Sequence, residues 1–263
     1  MKSLKYIKFF TALLIFPLFV CGQNTDYKKW NLKSRVKSIK ESSYTVTFKN
    51  GKYEKDSLEF YYINEFNNSA NKIVDTKYYP DGKINKYYTY EYNNFNRRIV
   101  EKQFRSDGMQ MRTIFYKYDE KGNLTEDNSV NSDGYPDKTF KYFYNDKGNL
   151  IEDDSYNADG ILQKTYKYSY DSKGNKSETN VYTAGGTLDK RTIFSYDNNN
   201  NIIEESSYKP DNSLIGRFTF IYEYDTDNNW IRKTKICEAK PVNISEREIV
   251  YFRKPVPVNR NEN

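Results

Sequence analysis

The chain repeats itself at a step of 26 residues. Three rows of matched residues share this step: an aromatic row, an Asp-Gly row and a second aromatic row. Their clearest members are Tyr92, Tyr118, Tyr144, Tyr170 and Tyr196; Asp81, Asp107, Asp133 and Asp159; and Tyr78, Phe104, Tyr156, Tyr182 and Tyr208. Repeats of this length indicate stacked supersecondary units, none of which buries its apolar face alone. The step lengthens to 28 before Tyr224, so we expect about two extra residues in the last unit.

Two kinds of turn divide each unit. One has the form Tyr-Asp-x-x-Gly-Asn, as at residues 170–175, and the other is an Asp-Gly turn. Glycine adopts a positive φ without strain, and the Asp side chain caps the turn. We therefore expect positive φ at Gly148 and Gly174. In the outer units an asparagine, which also tolerates this conformation, takes the place of glycine: Asn96, Asn200 and Asn228.

The turn spacing predicts an all-β fold. Two turns per repeat leave about eight or nine residues for each strand, a common strand length. Consecutive hairpins give an antiparallel β-meander of 26-residue double-hairpin repeats, with about 14 to 16 strands between Val36 and Phe252. A twisted single sheet of this size curls toward an open or closed barrel. Residues 246–252 are predicted to form a final edge strand, because prolines follow it and prevent further pairing.

Four segments follow from this pattern: a signal peptide (1–22), an N-terminal polar segment (23–35), a β-repeat domain (36–252) and a flexible C-terminal tail (253–263). Trp30 is predicted to plug the first strands. Because equivalent units make equivalent contacts, stability should be distributed. Truncating a central aromatic such as Tyr142 should then destabilise the fold more than truncating Phe66 or Tyr224, which lie toward the ends of the repeat array.

Alternation along the strands defines two faces. Phe140, Tyr142 and Tyr144 share one face, and Thr139 and Lys141 lie on the other. Two charged rows follow the repeat: Glu126, Glu152, Glu178 and Glu204; and Lys86, Arg112, Lys138, Lys164 and Lys190. The register that decides which rows share a face stays open. The tyrosine rows are predicted to pack against one another; in the alternative, they bind a ligand. The candidate ligand-binding residues are Tyr90, Tyr116, Tyr142 and Tyr168.

The N-terminus has the pattern of an export signal. Three lysines precede an apolar run at residues 9–20, which is too short to span a membrane. Cleavage after Gly22 would release a chain that begins at Gln23, whereas a lipobox would make Cys21 a lipid anchor. Secretion is favoured, because Val20 fits poorly before a lipidated cysteine. Loss of residues 1–22 removes three lysines and no acid, which lowers the formal charge from +6 to +3.

Several kinds of chemistry are excluded or disfavoured. The chain has no histidine, which excludes Ser-His-Asp and Cys-His catalysis and histidine metal sites. Carboxylates at 152–154 could serve a hydrolase, but their position in a repeated row favours a charged strand face. Residues 225–229 resemble the start of a calcium loop, yet Trp230 stands where glycine is needed and Ile236 where glutamate is needed. We predict an Asx-rich turn there, no catalytic residue, no metal site and no cofactor.

The Tyr-Asp-x-x-Gly-Asn-Leu motif and its Asp-Gly turn resemble the YD repeats of the RHS type. The likeness covers roughly residues 72–235 and is best at 118–124, 144–150 and 170–176. The resemblance implies an all-β repeat scaffold outside the cytoplasm, as in secreted and cell-surface bacterial proteins. Members of this family have been linked to carbohydrate binding.

These observations predict a non-catalytic exported protein that acts as a scaffold or binding module at the bacterial cell envelope, whether periplasmic, on the cell surface or secreted. Its partner would be an envelope protein or a glycan. The alternatives are a carbohydrate-binding protein that uses exposed tyrosine ladders and, less favoured, a carboxylate-dependent hydrolase. The absence of a concentrated basic patch argues against nucleic-acid binding. Lysine or glutamate on both faces argues against a lipid-facing barrel, and the mature chain has no transmembrane span.

Overall fold

The computed structural model describes residues 26–252. The predicted signal peptide, Cys21 and the predicted tail lie outside the described residues. A short helix, α1 (Asp26–Lys29), precedes sixteen strands. The strands are β1 (Val36–Lys49), β2 (Lys52–Phe66), β3 (Lys72–Tyr78), β4 (Ile84–Tyr92), β5 (Arg98–Arg105), β6 (Gln110–Tyr118), β7 (Leu124–Asn131), β8 (Pro136–Tyr144), β9 (Leu150–Tyr156), β10 (Leu162–Tyr170), β11 (Lys176–Thr183), β12 (Leu188–Tyr196), β13 (Ile202–Tyr208), β14 (Leu214–Tyr224), β15 (Trp230–Cys237) and β16 (Lys240–Tyr251).

The strands form one closed antiparallel barrel. Each strand pairs with its neighbours in sequence, and β1 also pairs with β16, with Ile39 opposite Ile249. The predicted meander is therefore confirmed, and of its two predicted forms the closed barrel is found. Closure removes the two unpaired edges that an open sheet of sixteen strands would expose.

The prediction of a final edge strand at residues 246–252 is wrong in two respects: the strand is longer, and it is not at an edge. The strand begins at Lys240 rather than at residue 246, and it pairs with β15 on one side and β1 on the other. A two-residue turn at Glu238 and Ala239, with φ of 47° and 62°, connects it to β15. Neither residue is a usual turn residue, so this hairpin has no recognisable turn signal in the sequence.

The two kinds of turn lie at opposite ends of the barrel, which we call the Tyr-Asp rim and the Asp-Gly rim. At the Tyr-Asp rim, Gly148 and Gly174 have φ of 76° and 84°. Asn96, Asn200 and Asn228 have φ of 56°, 61° and 62° at the equivalent positions. The conformations predicted for all five are thus confirmed. The capping is also as predicted: Asp171 Oδ1 accepts hydrogen bonds from the backbone amides two and four residues later, at 2.9 and 2.8 Å.

Gly148→Val is expected to lower the free energy of unfolding by about 1–2 kcal/mol, because a side chain at positive φ is strained. No atom lies within 4 Å of the added Cβ, so the loss comes from the backbone and not from a clash. Gly216, within β14, has equally open surroundings without positive φ, and valine suits a strand. Urea unfolding should show no loss for Gly216→Val; an equal loss in both variants would contradict the turn argument.

The insertion inferred in the last repeat lies in β14. This strand has 11 residues, against 9 in β8, β10 and β12. The extra pair preserves the alternation of faces, because two residues are one full period of a strand.

The two faces are the inner and outer walls of the barrel. Tyr142 and Tyr144 are half-buried on the inner wall, while Lys141 and Phe143 are exposed on the outer wall. The Glu row faces outward and pairs with outer lysines, as in Lys167–Glu152 at 3.2 Å. Members of the predicted basic row instead bind aspartates near the Asp-Gly rim: Arg112 binds Asp137, and Lys164 binds Asp189 at 3.0 Å. The two charged rows therefore do not neutralise each other.

The apolar core lies inside the barrel beside α1. Val36, Ile39 and Phe66 are buried there, and Tyr27 and Trp30 pack against them. The rings of Trp30 and Phe66 meet edge to face, with centroids 6.2 Å apart. Trp30 thus plugs the first strands as predicted.

Candidate functional site

The segment at residues 26–35, called the N-terminal segment below, crosses the barrel interior at the Tyr-Asp rim. At one end the Asp26 carboxylate accepts hydrogen bonds from the Lys72 amide and the Tyr92 hydroxyl, both at 2.8 Å. At the other end Asn31 Nδ2 donates to Asn199 O at 2.9 Å, and the Lys33 amide donates to Asn229 Oδ1 at 2.8 Å. These contacts reach opposite parts of the wall, so the segment partly closes this end of the lumen.

A buried charge network holds the start of this segment. Arg98 donates to Asp26 at 2.5 Å and to Glu101 at 2.8 Å, and its guanidinium lies 4.0 Å from the centroid of the Tyr90 ring. Lys72 binds Asp75 at 2.8 Å. Each carboxylate of the network has a cationic partner and also accepts a hydrogen bond from a backbone amide or a tyrosine hydroxyl, which favours toleration of buried ion pairs.

The four candidate tyrosines form one row on the inner wall. Each hydroxyl donates to a carboxylate 15 residues earlier. The pairs are Tyr90–Asp75 at 2.8 Å, Tyr116–Glu101 at 3.0 Å, Tyr142–Asp127 at 2.5 Å and Tyr168–Asp153. Burial raises the pKa of all four hydroxyls, so they stay neutral donors at neutral pH. The structure therefore brings the predicted residues together, but inside the lumen and not on an outer surface.

Burial also raises the pKa of the Asp153 carboxyl above its ordinary value of 3.8, although the bond from Tyr168 opposes the shift. In contrast, hydrogen bonds, first of all from the Asn175 amide, lower the pKa of Asp171 at the rim. Carboxyl NMR titration should show Asp153 protonating at higher pH than Asp171. A raised folded-state pKa means that Asp153 favours folding most at low pH, and this contribution is lost as pH rises through that pKa. Asp153→Asn should remove this pH dependence; an unchanged slope would contradict the assignment.

A second tyrosine row lies closer to the Tyr-Asp rim, and most of its hydroxyls donate to a backbone carbonyl 20 residues earlier. The members with this bond are Tyr92, Tyr118, Tyr170, Tyr196 and Tyr222. Tyr144 belongs to the same row, yet its hydroxyl has no hydrogen-bond partner among residues 26–252. Burial raises the pKa of Tyr144 to about 12. Its hydroxyl is therefore a neutral group without a hydrogen-bond partner in the part of the chain that the structure describes.

A cavity of about 370 Å³ lies between the N-terminal segment and the inner wall; we call it the rim cavity. Tyr144 lines it together with Lys28, Lys29, Asn71 and Arg98. Tyr142 is the only one of the four candidate tyrosines on its lining. The position of the two lysines could not be predicted from the sequence, because they lie outside the repeat and depend on where the N-terminal segment docks.

The carboxylates at 152–154 do not converge. Asp153 faces inward to Tyr168, whereas Glu152 and Asp154 face outward and bind Lys167 and Thr165. The calcium-like stretch is an Asx turn, as predicted: Asp225 Oδ1 accepts from two backbone amides of its own loop. Within the described residues no group of three or more Cys, Asp or Glu side chains is placed to hold a metal ion. Nor does any helix of residues 26–252 have the length and apolar character to cross a bilayer.

The fold and the lumen define a class: a closed antiparallel barrel with a polar, partly filled interior. In fold the chain is similar to a porin-like protein from Bacteroides uniformis ATCC 8492, with a TM-score of 0.53, 10% identity and coverage of 83% of this chain and 98% of that chain. A porin-like protein from Bacteroides vulgatus ATCC 8482 also matches, with a TM-score of 0.42 and 14% identity over 83% of this chain and 99% of that chain. At this identity the likeness shows the fold alone.

A toxin complex, TcdB2-TccC3-Cdc42, matches more weakly. Its TM-score is 0.33 with 13% identity, and the match covers 78% of this chain but 11% of that chain. No protein-family model matches the sequence, and no curated protein matches it. The resemblance to YD repeats therefore stays a prediction.

Proposed function

We propose that this protein is a non-catalytic, exported binding module of the bacterial cell envelope that takes a ligand into the lumen of its barrel. The observation that carries the proposal is the rim cavity, which the N-terminal segment closes on one side and which retains unpaired polar groups. The likeness in fold to a porin-like protein from Bacteroides uniformis supports the location.

The outer wall favours a barrel that faces water. Ion pairs recur on it, such as Lys117–Glu126 at 2.5 Å and Lys102–Glu91 at 3.1 Å. A lipid-facing barrel presents an apolar band there, where a lysine or arginine at mid-depth costs about 2–4 kcal/mol. We therefore propose that the mature chain lies in the periplasm, at the cell surface or outside the cell, with Cys21 as its lipid anchor if that residue is retained. Mass spectrometry of the mature protein separates these routes: a lipidated Cys21, a start at Gln23, or an intact Met1, which would contradict export.

The inner wall supports binding over catalysis. Its carboxylates recur along the repeat. Each of the four carboxylates that lie beside the candidate tyrosines accepts a hydrogen bond from a tyrosine hydroxyl. An active site has no need to recur, and a carboxylate pair for glycoside hydrolysis must face one bond from two sides. Tyrosine rings lining the same lumen favour a glycan as the ligand, since sugar rings stack on aromatic faces.

A glycan array tests the function with the mature chain and two matched variants. Leu124→Trp enlarges a residue of the cavity lining, whereas Phe115→Trp makes a similar change on the outer wall, where Phe115 is 44% exposed. We expect wild type and Phe115→Trp to bind envelope glycans and Leu124→Trp to lose binding. Binding that survives Leu124→Trp would contradict a lumen site. Recovery of shortened glycans after incubation would contradict a non-catalytic role.

A further inference from the structure

We propose that the rim cavity binds a sugar acid, a saccharide unit that carries a carboxylate, through Lys29 and the free hydroxyl of Tyr144. The proposal rests on the proposed function and names the class of its ligand. Three features of the cavity carry it: its excess of cations, its unpaired polar groups, and its aromatic wall.

The charges on the cavity lining do not balance. Lys28, Lys29 and Arg98 lie on the lining with one carboxylate, Asp26, and Arg98 is already bound by Asp26 at 2.5 Å and by Glu101 at 2.8 Å. Neither lysine has an ion pair or a hydrogen bond within residues 26–252. Both lysine side chains are exposed, so a ligand can reach the ammonium of Lys29. An anion placed against Lys29 would neutralise that excess and form a charge-assisted hydrogen bond.

Unpaired polar groups surround this excess charge. Asn71 is 2% exposed; its Nδ2 donates to Asn96 at 3.1 Å, but its Oδ1 has no partner among the described residues. Arg98 Nε is buried and has no partner in this range either. Tyr144 is the member of its row whose hydroxyl has no partner among residues 26–252. Buried polar groups are normally satisfied, so unpaired groups beside one cavity indicate a place where another molecule binds.

The chemistry of these groups selects the ligand class. Lys29 favours a negatively charged group, and the Tyr144 hydroxyl can pair with either a donor or an acceptor. Tyr142 and Tyr170 add aromatic wall, and a volume of about 370 Å³ lies within the usual range for small-ligand sites. A small inorganic anion would satisfy Lys29 but would leave the aromatic wall without a partner. A sugar ring that bears hydroxyls and a carboxylate can pair with Lys29 and with the Tyr144 hydroxyl, and it can also pack against the aromatic wall.

Isothermal titration calorimetry of the mature chain at low salt tests this with three probes: D-glucuronate, D-glucose and inorganic phosphate. We expect glucuronate to bind at least about tenfold more tightly than glucose, since a charge-assisted hydrogen bond exceeds the 1.4 kcal/mol that a factor of ten represents. It should also bind about tenfold more tightly than phosphate, which forms such a bond but leaves the aromatic wall without a partner. Lys29→Met should weaken glucuronate about tenfold or more, and Tyr144→Phe about threefold or more.

Two matched controls accompany these variants. Tyr196→Phe removes a hydroxyl of the same row that binds Lys176 O at 2.8 Å, outside the cavity. Lys209→Met removes an exposed lysine from the Asp-Gly rim. Both should leave glucuronate affinity unchanged, and circular dichroism checks that all four variants fold.

Equal affinity for glucose, or for phosphate alone, would overturn the sugar-acid inference. So would an unchanged affinity in Lys29→Met, or no glucuronate binding at millimolar concentration. Each of these results leaves the proposed function testable by itself, because neutral glycans bound on the array and lost in Leu124→Trp would still support a lumen binding module.

Discussion

Phe66→Ala is expected to destabilise the protein by about 3–5 kcal/mol, the usual loss when a buried aromatic is truncated. Phe66 is 2% exposed and contacts the rings of both Tyr27 and Trp30. The alanine would leave a cavity at the centre of the apolar core, and it would also loosen the N-terminal segment. Urea unfolding measures the loss, with Phe143→Ala as the control, because Phe143 is 43% exposed on the outer wall.

This expectation reverses the one drawn from the repeat alone. The repeat alone places Phe66 toward the end of the array, where truncation is expected to destabilise the fold less than at a central position. In a closed barrel the array has no frayed end, since β2 pairs with both β1 and β3. The N-terminal segment then covers Phe66. A loss below about 1 kcal/mol, the level of an ordinary surface change, would contradict this account.

Arg98→Met is expected to have a comparable effect, about 3–5 kcal/mol, because it leaves buried carboxylates without their partner. The Asp26 and Glu101 side chains are 6% and 17% exposed, and both bind Arg98. Urea unfolding measures the loss.

The matched control is Lys117→Met. Lys117 binds Glu126 on the outer wall and is 63% exposed, so its pair contributes about 0–1 kcal/mol. If both variants lose the same free energy, then Arg98 does not hold the N-terminal segment through its charge.

What the sequence predicted well was local and repeated. The turns at Gly148 and Gly174 follow from residue types that favour positive φ, and the inner and outer walls follow from alternation around Tyr142. Neither requires knowledge of distant parts of the chain. The pairing of Ile39 with Ile249 does, and it has no repeat to indicate it.

The candidate site was predicted only in part. The repeat identified Tyr142, and the alternative of a ligand-binding role stays a prediction. It did not identify Lys29 or Asn71, because both depend on how the N-terminal segment lies in the lumen. Tyr144 could not be separated from the rest of its row, since the row is uniform in sequence. Its hydroxyl differs through local geometry, for which the neighbouring residues give no evident reason.

Closure of the barrel has a consequence for the order of folding. Every strand pair but one joins neighbours in sequence, so hairpins can form early at a small loss of chain entropy. The seam between β1 and β16 joins the two ends of the described chain, and it must wait until the intervening strands are in place. Asn243 adds to this seam, donating to Ser43 Oγ at 2.9 Å. We therefore expect the individual hairpins to form quickly and the closed barrel to form slowly. The pairing of β1 with β16 should be the last step.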